Sequence, residues 1–402
     1  MSENKVQVYS YRWIVLLVFM FTNITMQILW ITFAPVTIGA MAFYNVDEFS
    51  IVSLSLIFMI VYIPVTFLSS WLVEKLDFRW GAGIGALLGG IFGFSRFFAG
   101  TDYTLLLIFE ILIAIGQPFL LNSITKLSAN WFPDTERTTA TGLCLISQFI
   151  GILLGFLITP FLVFGNDLSI MLLIYGIAAL VSGLLFIFFA KARPPTPPSD
   201  IMPSETVFMW EGLKKLFINK YFLILVVLFF VGLGAFNMIS TYIQLIISPR
   251  GYTEEDAGIL GALMLLGGII GAILMSAISD KYRKKKLLLL ISIFITLASL
   301  CVLSFTTDLL LLDLFGFLFG FGILSAGPVA LEYAAEITRP VPEVSSNGML
   351  MMVGQIGGIL FIITMESPTG DYFPALLLLA ILTFIIFVLA FFLKEAKMNN
   401  LT

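Results

Sequence analysis

The sequence predicts an all-α membrane protein of twelve transmembrane helices arranged as two pseudo-symmetric six-helix bundles. Three observations carry this. Hydrophobic residues make up 59% of the 402 positions and charged residues only 11%, with a mean hydropathy of +1.05; a soluble chain needs far more charge to clothe its surface. Apolar runs of about 20 residues recur from end to end, each long enough to cross a bilayer as a helix. Finally, Gln148-Phe149-Ile150-Gly151-Ile152-Leu153 returns nearly unchanged as Gln355-Ile356-Gly357-Gly358-Ile359-Leu360. A primary amide at hydrocarbon depth needs a partner, because bare burial costs roughly 4–8 kcal/mol on the harsher scales. The repeat points to a duplicated protein with a polar site near its centre. The plainer reading is that each glutamine bonds a neighbouring helix and holds its bundle together.

The spans are expected at 13–39, 50–73, 80–100, 103–128, 138–164 and 168–190, then at 220–248, 256–279, 285–305, 308–335, 343–366 and 371–393. The first run is too long for a signal peptide and lacks a small-residue cleavage site, so it reads as the first span. Between spans six and seven, Pro194, Pro195, Pro197, Pro198 and Pro203 stand in polar sequence that cannot continue a helix. The expected organisation is a bundle over 1–190, a linker over 191–219 and a bundle over 220–402. Within the linker, 207–217 has the pattern of an amphipathic surface helix. With the N-terminus inside, every lysine and arginine except Arg96 and Arg250 falls on the inner side. The positive-inside rule then expects both termini and the linker in the cytoplasm, with the protein in the cell membrane. The outer loops are short and mildly acidic, as at Asp47-Glu48, Asp102 and Asp167. Glycines crowd span three (Gly85, Gly89, Gly93) and span eight (Gly267, Gly268, Gly271), which marks close helix packing.

Composition also excludes chemistry. There is no histidine, which removes the commonest proton shuttle and metal ligand, and makes Ser-His or Cys-His catalysis impossible. Neither an enzyme nor a cofactor is expected, and no nucleic-acid partner. Cys144 and Cys301 lie in apolar runs and read as packing residues.

Two loops repeat a pattern. Ser70-x-x-x-Glu74-Lys75-Leu76-Asp77-Phe78-Arg79 follows span two, and Ser276-x-x-x-Asp280-Lys281-Tyr282-Arg283-Lys284-Lys285 follows span eight. Both resemble the Gly-x-x-x-Asp-Arg/Lys-x-x-x-Arg/Lys loop of the major facilitator superfamily, with serine for the first glycine and Glu74 for the first aspartate. The resemblance implies interhelical charge pairs from Glu74 and Asp280 that hold one conformation of a rocking carrier. A plain positive-inside anchor is the alternative.

A narrower likeness follows. Glu332-Tyr333-Ala334-Ala335-Glu336-Ile337-Thr338-Arg339-Pro340, then Ser345-Ser346-Asn347-Gly348 and the mid-helix Gln355, resembles the feline leukaemia virus subgroup C receptor-related transporters. Trp131-Phe132, Gln148-x-x-Gly151 and Gly155-Phe156-Leu157-x-x-Pro160 agree, as do Trp30-Ile31, Tyr62-Ile63-Pro64 and Gly234-x-Phe236-x-x-Ile239-Ser240-Thr241. That family is described as carrying choline and ethanolamine, and historically haem. The resemblance implies a substrate site from Trp30, Gln148 and Gln355. Asn237 stands where the family pattern has an aromatic cage residue, which suits a ligand with more hydrogen-bonding groups.

A cation gains roughly 0.5–2 kcal/mol over an aromatic face. Candidate walls are Trp30, Phe33, Phe236, Tyr242 and Tyr333. Trp30 has Asn23, Thr25, Gln27 and Thr32 nearby, which favours a polar lumen over an interfacial anchor. Without histidine, haem lacks its usual axial ligand. Glu110, in span four, could take up a proton or hold a cation; it could equally pair with Arg96 or Gln117. Glu332 and Glu336 share a helical face, and the resemblance implies an inner-gate or structural role for them. Glu366 is expected at the outer mouth. Gln117, Asn122, Gln244 and Asn347 are further lumen candidates.

The expected function is alternating-access transport of a small organic solute by a monomer: facilitated diffusion of a choline- or ethanolamine-like cation through a site of Trp30, Gln148, Gln355, Asn237, Phe236 and Tyr333. Two other readings stay open: a proton-coupled carrier of another metabolite or drug that uses Glu110, and a transport-dead membrane sensor or receptor.

Overall fold

The computed structural model describes residues 8–198, 216–341, 343–364 and 371–395. The chain divides into two compact units, Met1–Ser204 and Glu205–Thr402. Most of the expected surface helix at 207–217, and Glu366, lie outside the described residues. Twelve helical spans are long and apolar enough to cross a membrane, and among the described residues there is no strand beyond one isolated bridge, Phe164 to Asp167.

In the first unit the first span is broken. Helix α1 (Arg12–Ile31) gives way to a 3-10 turn, Ala34–Val36, and then α2 (Thr37–Tyr44). Pro35 explains the break: it has no N–H to give the carbonyl four residues back, and its ring disfavours helical geometry in the residue before it. The unit continues with α3 (Glu48–Lys75), α4 (Phe78–Ser95), α5 (Tyr103–Leu121), α6 (Ile124–Trp131), α7 (Asp134–Ile158) and α8 (Ser169–Phe189). The second unit repeats the plan. Its first span is also broken, into α9 (Lys220–Thr241), α10 (Ile243–Ile247) and a 3-10 turn, Ser248–Arg250. Then come α11 (Glu254–Tyr282), α12 (Lys285–Phe305), α13 (Leu309–Ile337), α14 (Glu343–Thr364) and α15 (Phe373–Ala390).

The acids between spans are helix starts. Asp47, Asp77, Asp102 and Asp308 accept from the backbone N–H three residues on. Thr253 and Asp256 form a reciprocal capping box on α11. Each such cap contributes about 1 kcal/mol, and this use accounts for the mildly acidic loops.

Glycine sets the helix spacing. A Cβ on Gly151 would stand 2.5 Å from the Ile24 carbonyl and 2.8 Å from Gln27 Cβ, so α7 lies directly on α1. In the second unit, a Cβ on Gly357 would strike the Phe230 carbonyl of α9. The two Gln-x-x-Gly-Ile-Leu-type strings therefore do the same work in each unit: they clamp its first span to its fifth. A Cβ on Gly320 of α13 would overlap the Met264 carbonyl of α11, whereas Gly327, two turns on, faces open space. We expect Gly320→Leu to cost at least the ~1–3 kcal/mol of overpacking, read as a lower melting temperature of the purified protein. Gly327→Ala should leave that temperature unchanged or slightly raised.

Candidate substrate site

In the first unit the polar face of α1 carries Asn23, Gln27 and Trp30, spaced four and three residues apart and so aligned. All three are buried. Asn23 donates through Nδ2 to the Cys144 carbonyl at 3.0 Å and to Ser147 Oγ at 2.9 Å, which ties α1 to α7 just before Gln148. Trp30 is an interior residue. Its indole N–H donates to the Ser55 carbonyl at 3.2 Å, and Ser55 Oγ donates back to the Trp30 carbonyl at 3.1 Å. The indole's one donor is thus used on α3. Gln27, Gln117 and the half-buried Gln148 make no hydrogen bond among the described residues. Gln27 abuts Gly151, one turn from Gln148. The plainer reading of Gln148, a helix-to-helix bond, is therefore not what the structure shows.

Glu110 pairs with Arg96. Nη1 of Arg96 lies 2.7 Å from Glu110 Oε1, with both side chains essentially fully buried. The guanidinium also donates to the Leu29 carbonyl at 3.2 Å and reaches Thr32 Oγ1 at 3.5 Å. It stands 5.4 Å over the Phe33 ring. A cation therefore sits at the C-terminal end of α1, where the helix dipole favours it. Phe33 packs on this structural cation and is not a free cage wall. Of the two roles open to Glu110, the ion pair is the one observed.

In the second unit Asn237 donates through Nδ2 to Gln355 Oε1 at 3.3 Å, joining α9 to α14. Phe236 is buried beside it. Further along the same face, Gln244 donates to Glu254 Oε1 at 3.2 Å. Tyr242, another expected wall, gives its hydroxyl to the Ile362 carbonyl at 3.0 Å. Asn122, in the first unit, is used on Thr66 and Ser69.

Tyr333 belongs elsewhere. Its hydroxyl donates to the Lys394 carbonyl at 2.6 Å, one turn from the end of α13. That end meets the start of α9, because Asn219 Nδ2 donates to the Ile337 carbonyl at 2.9 Å. Asn237 lies about 27 Å further along α9 at 1.5 Å per residue. The structure thus separates Tyr333 from Asn237 and Gln355.

The repeated loops also differ from expectation. The Glu74 and Asp280 side chains are exposed and form no ion pair among the described residues. Lysines do the tying. Lys126 Nζ donates to the Val73, Glu74 and Leu76 carbonyls and so caps the end of α3. Lys285 Nζ lies 2.6 Å from both Glu332 Oε1 and Glu336 Oε1. The spacing of the two glutamates was legible; their partner was not, because Lys285 looked like one more inner-side charge. Glu110→Gln should leave the Arg96 cation buried without a counter-charge and lower stability by about 3–5 kcal/mol, seen as a fall in melting temperature. The double variant Arg96→Met with Glu110→Leu should recover most of that loss.

The chain matches the family model described as the Major Facilitator Superfamily over residues 14–362. It is 33% identical over 387 residues to Solute carrier family 49 member A3 of Xenopus tropicalis, covering 90% of this chain and 79% of that protein. It is 27% identical over 395 residues to the Choline/ethanolamine transporter flvcr2a of Danio rerio, covering 93% of this chain and 84% of that one. Among solved structures, a bacterial homolog of the human lysosomal transporter Spinster superposes with a TM-score of 0.74 at 14% identity, covering 96% of each chain. Relatives and structural neighbours alike are membrane transporters, not enzymes. This chain is accordingly a multi-pass membrane protein of the major facilitator superfamily, in the branch of solute carrier family 49 member A3 and the choline/ethanolamine transporters related to it.

Proposed function

We propose that this protein is a facilitative carrier of a small organic ammonium ion, working by alternating access as a monomer in the cell membrane, with both termini cytoplasmic. One observation carries the reading. Trp30 is buried with its N–H used on Ser55, which leaves the ring itself as the binding element, and the unbonded amides of Gln27 and Gln148 lie on the adjoining faces of α1 and α7. A desolvated cation over such a ring gains ~2 kcal/mol or more, and the amides supply directed hydrogen bonds. In the second unit Asn237 and Gln355 are the matching polar pair, with Phe236 beside them. The named activity of the flvcr2a relative agrees with this chemistry. The tie between Glu110 and Arg96 weighs against proton coupling through Glu110. The one-sided distribution of lysine and arginine supports the orientation.

The test is uptake of labelled choline and ethanolamine into proteoliposomes, with and without a pH gradient. Saturable exchange of at least one is expected, with no accumulation driven by the gradient. Gln148→Ala should raise KM about tenfold, the value of one charge-assisted contact, while the melting temperature holds; Trp30→Ala should raise KM as well, through loss of the ring, and also lower the melting temperature because it empties a buried site. Functional vesicles that move neither compound would overturn the assignment. Variants that change only the melting temperature would return both residues to a packing role.

A further inference from the structure

Most buried hydroxyls in this protein are satisfied, and among the described residues the exceptions are Tyr44, Ser279 and one adjacent pair. Thr22, Thr32, Ser123, Thr296, Ser304 and Thr383, among others, donate back to a carbonyl of their own helix. Such back-bonding is the ordinary fate of serine and threonine inside a helix. Ser240 Oγ and Thr241 Oγ1 do otherwise. Ser240 is 0% exposed and Thr241 2% exposed, yet neither hydroxyl has a hydrogen-bond partner. Both belong to the last turn of α9, where a back-bond to Phe236 or Asn237 was available to each.

Their position gives the gap a meaning. At about 100° per residue, Asn237, Ser240 and Thr241 share one side of α9, and Gln244 follows in α10 beyond the break at Tyr242. Asn237 uses its Nδ2 on Gln355, so its carbonyl oxygen has no donor among the described residues. Gln244 is engaged by the Glu254 carboxylate. Between those two contacts lie three oxygens able to accept, one amide carbonyl and two hydroxyls that have no hydrogen-bond partner. Phe236 lies a residue earlier, about 100° round the helix, so its ring does not belong to that side.

A primary ammonium carries three N–H donors. A quaternary ammonium carries none and is held by aromatic faces. We propose that Asn237, Ser240 and Thr241 form a subsite for the N–H donors of a primary amine, so that this carrier selects primary amines over their N-methylated analogues. The inference rests on the organic-ammonium reading above and makes Ser240 and Thr241 specificity-determining residues.

The experiment is a methylation series in proteoliposomes: ethanolamine, its N-methyl and N,N-dimethyl derivatives, and choline. In the unaltered protein KM should rise with each N–H removed, by about tenfold or more across the series, as loss of hydrogen bonds to a charged donor requires. In Ser240→Ala/Thr241→Val the series should flatten, by a rise in KM for ethanolamine with little change for choline. Thr241→Ser, which keeps the hydroxyl, should retain the gradient, and melting temperatures identify any variant that merely misfolds. A flat or inverted series in the unaltered protein overturns the proposal, as does a gradient that survives the double variant. Transport of choline with rejection of ethanolamine overturns the subsite alone. Transport of no member of the series overturns the organic-ammonium reading with it.

Discussion

A polar group inside a bilayer-spanning bundle has no water to fall back on, and this constraint shapes most of the contacts described here. Arg96 and Glu110 neutralise each other at 2.7 Å where the first span breaks. Asn23 is used on α7, Asn122 on α3, and Trp30 and Ser55 on each other. Once these debts are settled, the groups left over stand out. In the first unit they include amides flanking an indole; in the second they include two hydroxyls on one helical turn.

Packing follows the same duplicated logic. Each unit clamps its first span to its fifth through a glycine two or three residues past the mid-helix glutamine. Each unit also breaks its first span. In α1 the break follows from Pro35; in α9 it falls at Tyr242, whose hydroxyl is fixed to Ile362. At the α9 break Gln244 and Glu254 provide a polar contact, and Arg250 stands in the 3-10 turn that ends the span. The two units share a plan and differ in their electrostatics.

The twelve spans were legible because hydropathy over ~20 residues is a strong and local signal. The repeat that pairs Gln148 with Gln355 was legible for the same reason: an amide in an apolar run is rare. Partner identity was harder to read. Glu332 and Glu336 advertise a shared face by their spacing, but Lys285 lies 47 residues before Glu332 and carries no mark that separates it from Lys284 or Lys286. Tyr333 looked like a cage wall because aromatics near a family motif invite that reading; its depth along α13 places it by Lys394 instead. Ser240 and Thr241 were visible only as part of a motif. That their hydroxyls lack partners is a three-dimensional fact, since a helical serine normally hides its need within its own backbone.

Several of the ties described above end on main-chain oxygen. Trp30 is held by the carbonyl of Ser55, Arg96 reaches that of Leu29, and Lys126 grips those of Val73, Glu74 and Leu76. A carbonyl is present whatever side chain a residue bears. Where the accepting residue returns no side-chain bond, as at Leu29 and Val73, such an anchor fixes the identity of one position and leaves the other free to drift; Ser55, whose hydroxyl answers Trp30, is held at both ends. Over evolutionary time the positions around Trp30 can exchange side chains, and with them the shape and polarity offered to a solute, without loosening the frame that holds the indole in place. The scaffold is in this sense built to explore new cargo.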